Sequence, residues 1–169
     1  ALVPEEPYEV PFGQAKIRTT GDDLTLVGIS NMAVECLRVH EILADEGIDV
    51  EVIDPISLIP LDMDTIVASA RRTGRLLVVD NAWTSCGMSA EILAAAAERI
   101  DPGEDILIQR MGFAPTPCPT TPSLEDVFYP NPATIARKAY AMVRPGDTDW
   151  QPDPKRTELA YQMQFKGPF

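Results

Sequence analysis

The stretch that most constrains this chain is Leu76 to Ile92, LLVVDNAWTSCGMSAEI. Leu76 to Val79 is an unbroken apolar run that stops at a single acid, Asp80. A short apolar run bounded by turn residues fits a strand buried on both faces, as in a parallel sheet, and not the alternation of a half-solvated strand. A polar turn and an alanine-rich helix follow. A strand passing into a helix in this way implies a right-handed crossover. It also leaves the connecting turn at the carboxyl end of the strand, where open α/β sheets carry their functional loops.

The rest of the chain repeats this unit. Leu24–Ile29 is an apolar strand before a helix over Met32 to Glu46, with Ser30 or Asn31 as its cap and Gly47 as its stop. Asp49–Ile53 leads through Asp54-Pro55 to a helix capped by Asp62, with Met63, Ile66, Val67 and Ala70 on one stripe. Arg71 and Arg72 suit the last turn of that helix, and Gly74 ends it. Leu76–Val79 then feeds a helix from Gly87 to Ile100, and Ile106–Arg110 is the last strand. Gly112 to Ser123 carries Pro115, Pro117, Pro119 and Pro122, so it reads as a stiff loop barred from a sheet interior. Asn131 caps a final helix with Pro132 at its first position.

Strands alternating with helices predict an α/β fold, a five-stranded, mainly parallel sheet covered on both faces. The edge strand Ala15–Arg18 is free to run against the others. Residues 1–14 read as a leader or linker, 15–145 as the domain and 146–169 as a tail. In the tail Trp150, Tyr161, Phe165 and Phe169 are spaced through polar residues, too sparsely for a core of its own, so it is expected to pack as an irregular arm.

A net charge of −12 argues against nucleic acid or an anionic membrane as partner. No apolar run approaches the roughly 20 residues that span a bilayer. Cys36, Cys86 and Cys118 are odd in number and widely spaced, which points to reduced thiols and a cytoplasmic setting.

The sole histidine, His40, falls beside the apolar stripe of its helix and reads as structural, since a catalytic base must reach a nucleophile in a cleft. One histidine and three scattered cysteines give no metal-ligand spacing. The turns at Gly28 and Gly87 match neither GxGxxG nor GxxxxGK[ST]. Asp54, Asp62 and Asp80 stand at or past strand ends, where a turn or cap role accounts for each. No catalytic, cofactor-binding or metal-binding residue is therefore assigned. The surface singled out is Asp80, Asn81, Trp83, Thr84, Ser85, Cys86 and Gly87, as a subunit interface or the mouth of a cleft, because tryptophan is enriched at contact surfaces. The alternative is that Trp83 folds back over its own core.

Four blocks carry a resemblance: PYEVPFGQAKIRTTGDDLTLVGIS (Pro7–Ser30), EVIDPISLIPLD (Glu51–Asp62), TGRLLVVDNAWTSCGMSAEI (Thr73–Ile92) and SLEDVFYP (Ser123–Pro130). Together, over Val3 to Val143, they resemble the C-terminal domain of transketolase-like proteins. The nearest likeness is to the β subunit of the thiamine-dependent 2-oxoacid dehydrogenase E1 component, for pyruvate or branched-chain substrates. The resemblance implies a three-layer α/β/α sandwich. It implies a parent oxidoreductase that decarboxylates a 2-oxoacid on thiamine diphosphate and Mg²⁺ and passes the acyl group to lipoyl. The partners it implies are the remainder of the same subunit, an E1 α subunit, a second β subunit and the E2 acyltransferase. The cofactor is expected to be held elsewhere, leaving this domain with subunit contacts and the active-site entrance, inactive alone. An independent small-ligand-binding α/β domain and a partner-docking module remain as alternatives.

Overall fold

A computed structural model describes residues 6–157. The leader residues 1–5 and the tail aromatics Tyr161, Phe165 and Phe169 lie outside them. Ten elements follow in order: β1 (Lys16–Thr19), β2 (Leu24–Gly28), α1 (Met32–Ala44), β3 (Val50–Asp54), α2 (Met63–Thr73), β4 (Arg75–Trp83), α3 (Met88–Ala97), β5 (Leu107–Phe113), α4 (Pro122–Phe128) and α5 (Pro132–Val143). The sheet order is β1-β3-β2-β4-β5. β2 pairs in parallel with β3 and β4, and β4 with β5, while β1 runs antiparallel to β3.

The period-2 pleat sorts each central strand between two cores. Leu24, Leu26, Leu77 and Val79 face α1 and α5, where they meet Cys36, Val39, Leu43, Ile135 and Ala139. Val27, Leu76 and Val78 face α2 and α3 on the other side, against Ile66, Val67, Ala70, Ile92 and Ala96. The result is the expected three-layer sandwich. Burial from water on both faces explains why these strands read as continuous apolar runs.

His40 is half-buried, with Nδ1 3.0 Å from the Val50 carbonyl, which accepts from it, so the structural reading of the histidine holds. Burial, with Glu35 beside it, pushes the Cys36 thiol well above the ordinary range.

The cap expected from Ser30 or Asn31 does not form. Asn31 already has helical dihedrals and makes no side-chain cap bond, and the turn closes through Met32 N to Ile29 O and Ala33 N to Ser30 O. α4 is a second departure, a short helix that opens at Pro122, within the segment read as loop. Proline suits the first helical turn, so the residue that argued for a loop here begins a helix.

Asp62 caps α2 as expected, accepting from Thr65 N at 3.1 Å and Thr65 Oγ1 at 2.8 Å, and it also accepts from Ala15 N at 2.9 Å. Burial alone would raise its pKa, but these donors outweigh burial and hold it below the usual aspartate value. A carboxylate depressed in the folded state adds stability above its unfolded pKa, near 4, and loses it as pH falls through the lower folded value. Asp62→Ala should therefore cost about 1 kcal/mol at neutral pH. It should also flatten the acid limb of stability below about pH 4, read by urea unfolding across pH. An unchanged acid limb would contradict this role.

Past α5 the chain turns back on its own domain. Trp150 stacks on Tyr140 with ring centroids 4.1 Å apart, and the Tyr140 hydroxyl donates to Asp147. Arg144 lies over the same Tyr140 ring, Pro152 is buried, and Arg156 pairs with Asp45 just past α1. Residues 154–157 form a helical turn within an otherwise irregular arm.

Candidate functional site

The segment singled out from the sequence begins inside a strand and not in a turn. β4 continues past Val79 through Trp83, and β5 continues past Arg110 to Phe113, so Asn81–Trp83 are strand residues. The two extensions support each other across a register shift, with Trp83 opposite Phe113. The turn proper runs from Thr84 to Gly87.

Asp80 is only 3% exposed, and its Oδ2 accepts from Ser89 N at 2.8 Å. The carboxylate thus ties β4 to the first turn of α3, where the helix dipole favours an anion. The bond to a backbone N–H is the structural kind expected of Asp80, but it is made from within the strand and not from a turn. Asn81, Ser85 and Cys86 are exposed, and Thr84 and Gly87 are partly buried. Cys86 has a φ of 61°, in the left-handed region. Gly87 is needed for close approach: a Cβ there would lie 2.3 Å from the Trp83 carbonyl oxygen and 2.9 Å from Asp80 Oδ2. Gly112 has the same role across the ladder, since its Cβ would lie 2.4 Å from the Ala82 carbonyl oxygen.

Trp83 lies partly against its own domain and partly in solvent. One side rests on its own domain, edge-on to Phe113 and Phe128 at centroid distances of 5.6 and 6.3 Å. Its indole Nε1 donates to the Thr116 carbonyl at 3.2 Å. The side chain nevertheless stays 46% exposed. Phe113, Phe128 and Tyr129 pack mutually at 4.8–5.0 Å beneath it, and the Tyr129 hydroxyl lies 3.0 Å from Cys118 Sγ. That bond raises the Tyr129 pKa above its ordinary value.

Trp83, Thr84 and Ser85 form one wall of a shallow cleft of about 440 Å³, and Pro115, Thr116 and Pro117 form the other. The proline-rich loop thus belongs to the site, a role the sequence reading did not assign to it. Its proline spacing signalled rigidity, but nothing local signalled that it would face Trp83.

The other strand-end acids are engaged elsewhere. Asp54 pairs with Arg18 at 2.6 Å and accepts from Ile56 N, and Asp62 caps α2. Among the described residues no three metal-ligating side chains come together. What the strand ends do present is a rigid aromatic platform beside a stiff apolar wall, which suits contact with another protein surface.

The fold and this platform define a three-layer α/β domain with a half-exposed aromatic cluster at the ends of β4 and β5. Residues 13–135 match the family model for "Transketolase, C-terminal domain", and the chain belongs to that family. Acetoin:2,6-dichlorophenolindophenol oxidoreductase subunit beta of Cupriavidus necator is 38% identical over 144 residues, covering 85% of this chain and 43% of that protein. The Bacillus subtilis protein of the same name is 39% identical, covering 79% of this chain and 39% of its own length. Pyruvate dehydrogenase E1 component subunit beta of Staphylococcus epidermidis is 38% identical, covering 82% and 42%. The chain thus spans about two-fifths of the length of these relatives. A solved structure described as "Split gene transketolase, inactive beta4 tetramer" is 23% identical, with a TM-score of 0.65 over 85% of this chain and 44% of that one, and shares the fold.

Proposed function

We propose that this chain is the C-terminal assembly domain of a thiamine-diphosphate-dependent enzyme of the 2-oxoacid dehydrogenase E1 β type. Its work is to supply subunit contacts and shape the active-site entrance. The domain occupies residues 15–145, between a linker and a tail. The observation that carries this is Trp83, held half-exposed on the Phe113–Phe128–Tyr129 base beside Pro115 and Pro117. An aromatic anchor fixed in advance loses little entropy on docking, which is how a few residues come to dominate an interface. Similarity to pyruvate dehydrogenase and acetoin oxidoreductase β subunits supports the enzyme class. The remaining parts follow by the same reading: thiamine diphosphate and Mg²⁺ on the remainder of the enzyme, an α subunit, a second β subunit, an E2 acyltransferase and a cytoplasmic setting. Within the described residues no helix is long and apolar enough to cross a membrane.

The test is to purify the assembly from its source cells through this chain and measure bound thiamine diphosphate. The reading expects stoichiometric cofactor with the assembly. An assembly free of thiamine diphosphate would favour the partner-docking alternative.

A further inference from the structure

The sheet has two edges, and the chain protects only one of them. β1 is four residues long, carries Lys16 and Arg18, and shifts register between Ile17 and Thr19. Short length, cations and a bulge are how natural sheets keep an edge from pairing with other chains. β5, at the other end of the sheet, runs for seven residues with Arg110 as its one charge, and its register with β4 is unbroken from Leu107 to Met111. None of its residues is buried, although Leu107, Ile108, Met111 and Phe113 are apolar, whereas all of β2 is buried.

The backbone of β5 is open as well. Leu107 N donates to Gly74 O at 3.0 Å, and in a parallel ladder alternate residues turn both polar groups to the same neighbour. Leu107, Gln109 and Met111 therefore bond β4, and Ile108 and Arg110 point N–H and C=O outward. Among the described residues no strand pairs with that side. Such a row on an apolar strand is a template for another strand.

The chain carries a segment that fits. Residues 158–166 read ELAYQMQFK, outside the described residues and beyond the family match, which ends at residue 135. Leu159, Tyr161, Met163 and Phe165 alternate with Ala160, Gln162 and Gln164, the period of a strand with one apolar face. Leu159 to Phe165 is seven residues, as long as β5. It is also uncharged, so it meets the edge without the repulsion expected between two chains of net charge −12.

The described part of the arm points to the copy that supplies it. α5 lies over β4, where Arg75 Nε donates to Met142 O. From Trp150 on Tyr140 of α5, the arm crosses to Arg156 at Asp45, past the end of α1, which packs on β2 and β3. It therefore runs away from β5. At most about 11 Å of chain separates Arg156 from Leu159, and β5 stands roughly 14 Å beyond β3 across the sheet. The β5 within reach of the segment is that of another molecule.

We propose that the outer edge of β5 is completed by Leu159–Phe165 of a second copy of this chain, added as a sixth strand. The contact is separate from the Trp83 platform and does not depend on the enzyme class proposed above.

Amide hydrogen exchange tests it on a mixture. A ¹⁵N-labelled chain shortened to end at Thr157 keeps Trp150, Pro152 and Arg156, so its melting temperature should match that of the full chain. Its β5 can be covered only by the tail of another molecule. Adding the unlabelled full chain should slow exchange at Ile108 and Arg110 of the labelled chain by about tenfold or more, as expected of amides that gain a strand partner. Leu107, Gln109 and Met111, already bonded to β4, should change little. A full chain carrying Gln162→Pro and Met163→Pro loses a donor from each alternating set of the segment and should give no protection. Unchanged exchange at Ile108 and Arg110 with the full chain in excess overturns the proposal. Protection found only when the labelled chain has its own tail also overturns it, since the occupant is then the same molecule. Equal protection by the double-proline chain does so too, because the contact is then not strand pairing.

Discussion

Trp83→Ala is expected to weaken association of this domain with its neighbouring subunit by roughly 100-fold, the effect of truncating a central aromatic anchor worth about 2–4 kcal/mol. The side chain has two separable roles. Its exposed part is available to a partner, and its covered part rests on Phe113 and Phe128 and hydrogen-bonds Thr116. The variant should therefore also lose stability as a monomer, by about 1–2 kcal/mol, since only part of the ring is buried. Trp83→Phe separates the two effects: it keeps a ring on the platform but removes the indole donor that fastens the proline-rich loop. Sedimentation across a concentration series reads association, and thermal unfolding reads the monomer. Identical oligomers for the native chain and Trp83→Ala would eliminate the platform as an interface.

Gly87→Ala should cost the domain about 2–3 kcal/mol, the usual penalty for forcing a methyl group into closed space. The added carbon would lie 2.3 Å from the Trp83 carbonyl oxygen and 2.9 Å from Asp80 Oδ2, so either the turn or the end of β4 must shift. Both routes disturb the bond from Ser89 N to Asp80 that positions α3. For a domain of this size the loss corresponds to a fall in melting temperature of roughly 5–10 °C. A melting temperature unchanged to within about 1 °C would show that the turn relaxes freely and that the tight approach is not what holds the platform. Gly112→Ala, facing the Ala82 carbonyl across the ladder, should behave alike.

The sheet was legible because its signals are local. Leu76–Val79 is apolar on both faces, Asp62 stands one residue before a helical stripe, and Asn131-Pro132 is a capped start; each of these elements forms. Strand ends were not legible, since Asn81 is polar and its strand conformation comes from pairing with β5, some thirty residues away in sequence. Ser30 and Asn31 have the composition of a cap, but capping depends on backbone dihedrals that composition does not determine. Of the cleft, Trp83 and the glycine turn stood out in the sequence, because an isolated tryptophan follows closely on an apolar run, although Trp83 proves to be a strand residue. Phe113, Phe128 and the Pro115–Pro117 wall could not, because the platform they form exists only once β5 and α4 have folded against β4.

We propose that this chain builds and shapes a thiamine enzyme without performing its chemistry. Cofactor chemistry needs several groups held in register around the reacting atom, so a domain contributing only walls would show no turnover by itself. The direct test is cofactor-dependent substrate oxidation followed with 2,6-dichlorophenolindophenol, using pyruvate, a branched-chain 2-oxoacid and acetoin in turn, with thiamine diphosphate and Mg²⁺ present. The purified chain alone should give no cofactor-dependent dye reduction, while the assembly purified through it should reduce dye with at least one of the three. Cofactor-dependent turnover by the chain alone that survives repurification, or an assembly inert toward all three, would contradict the account.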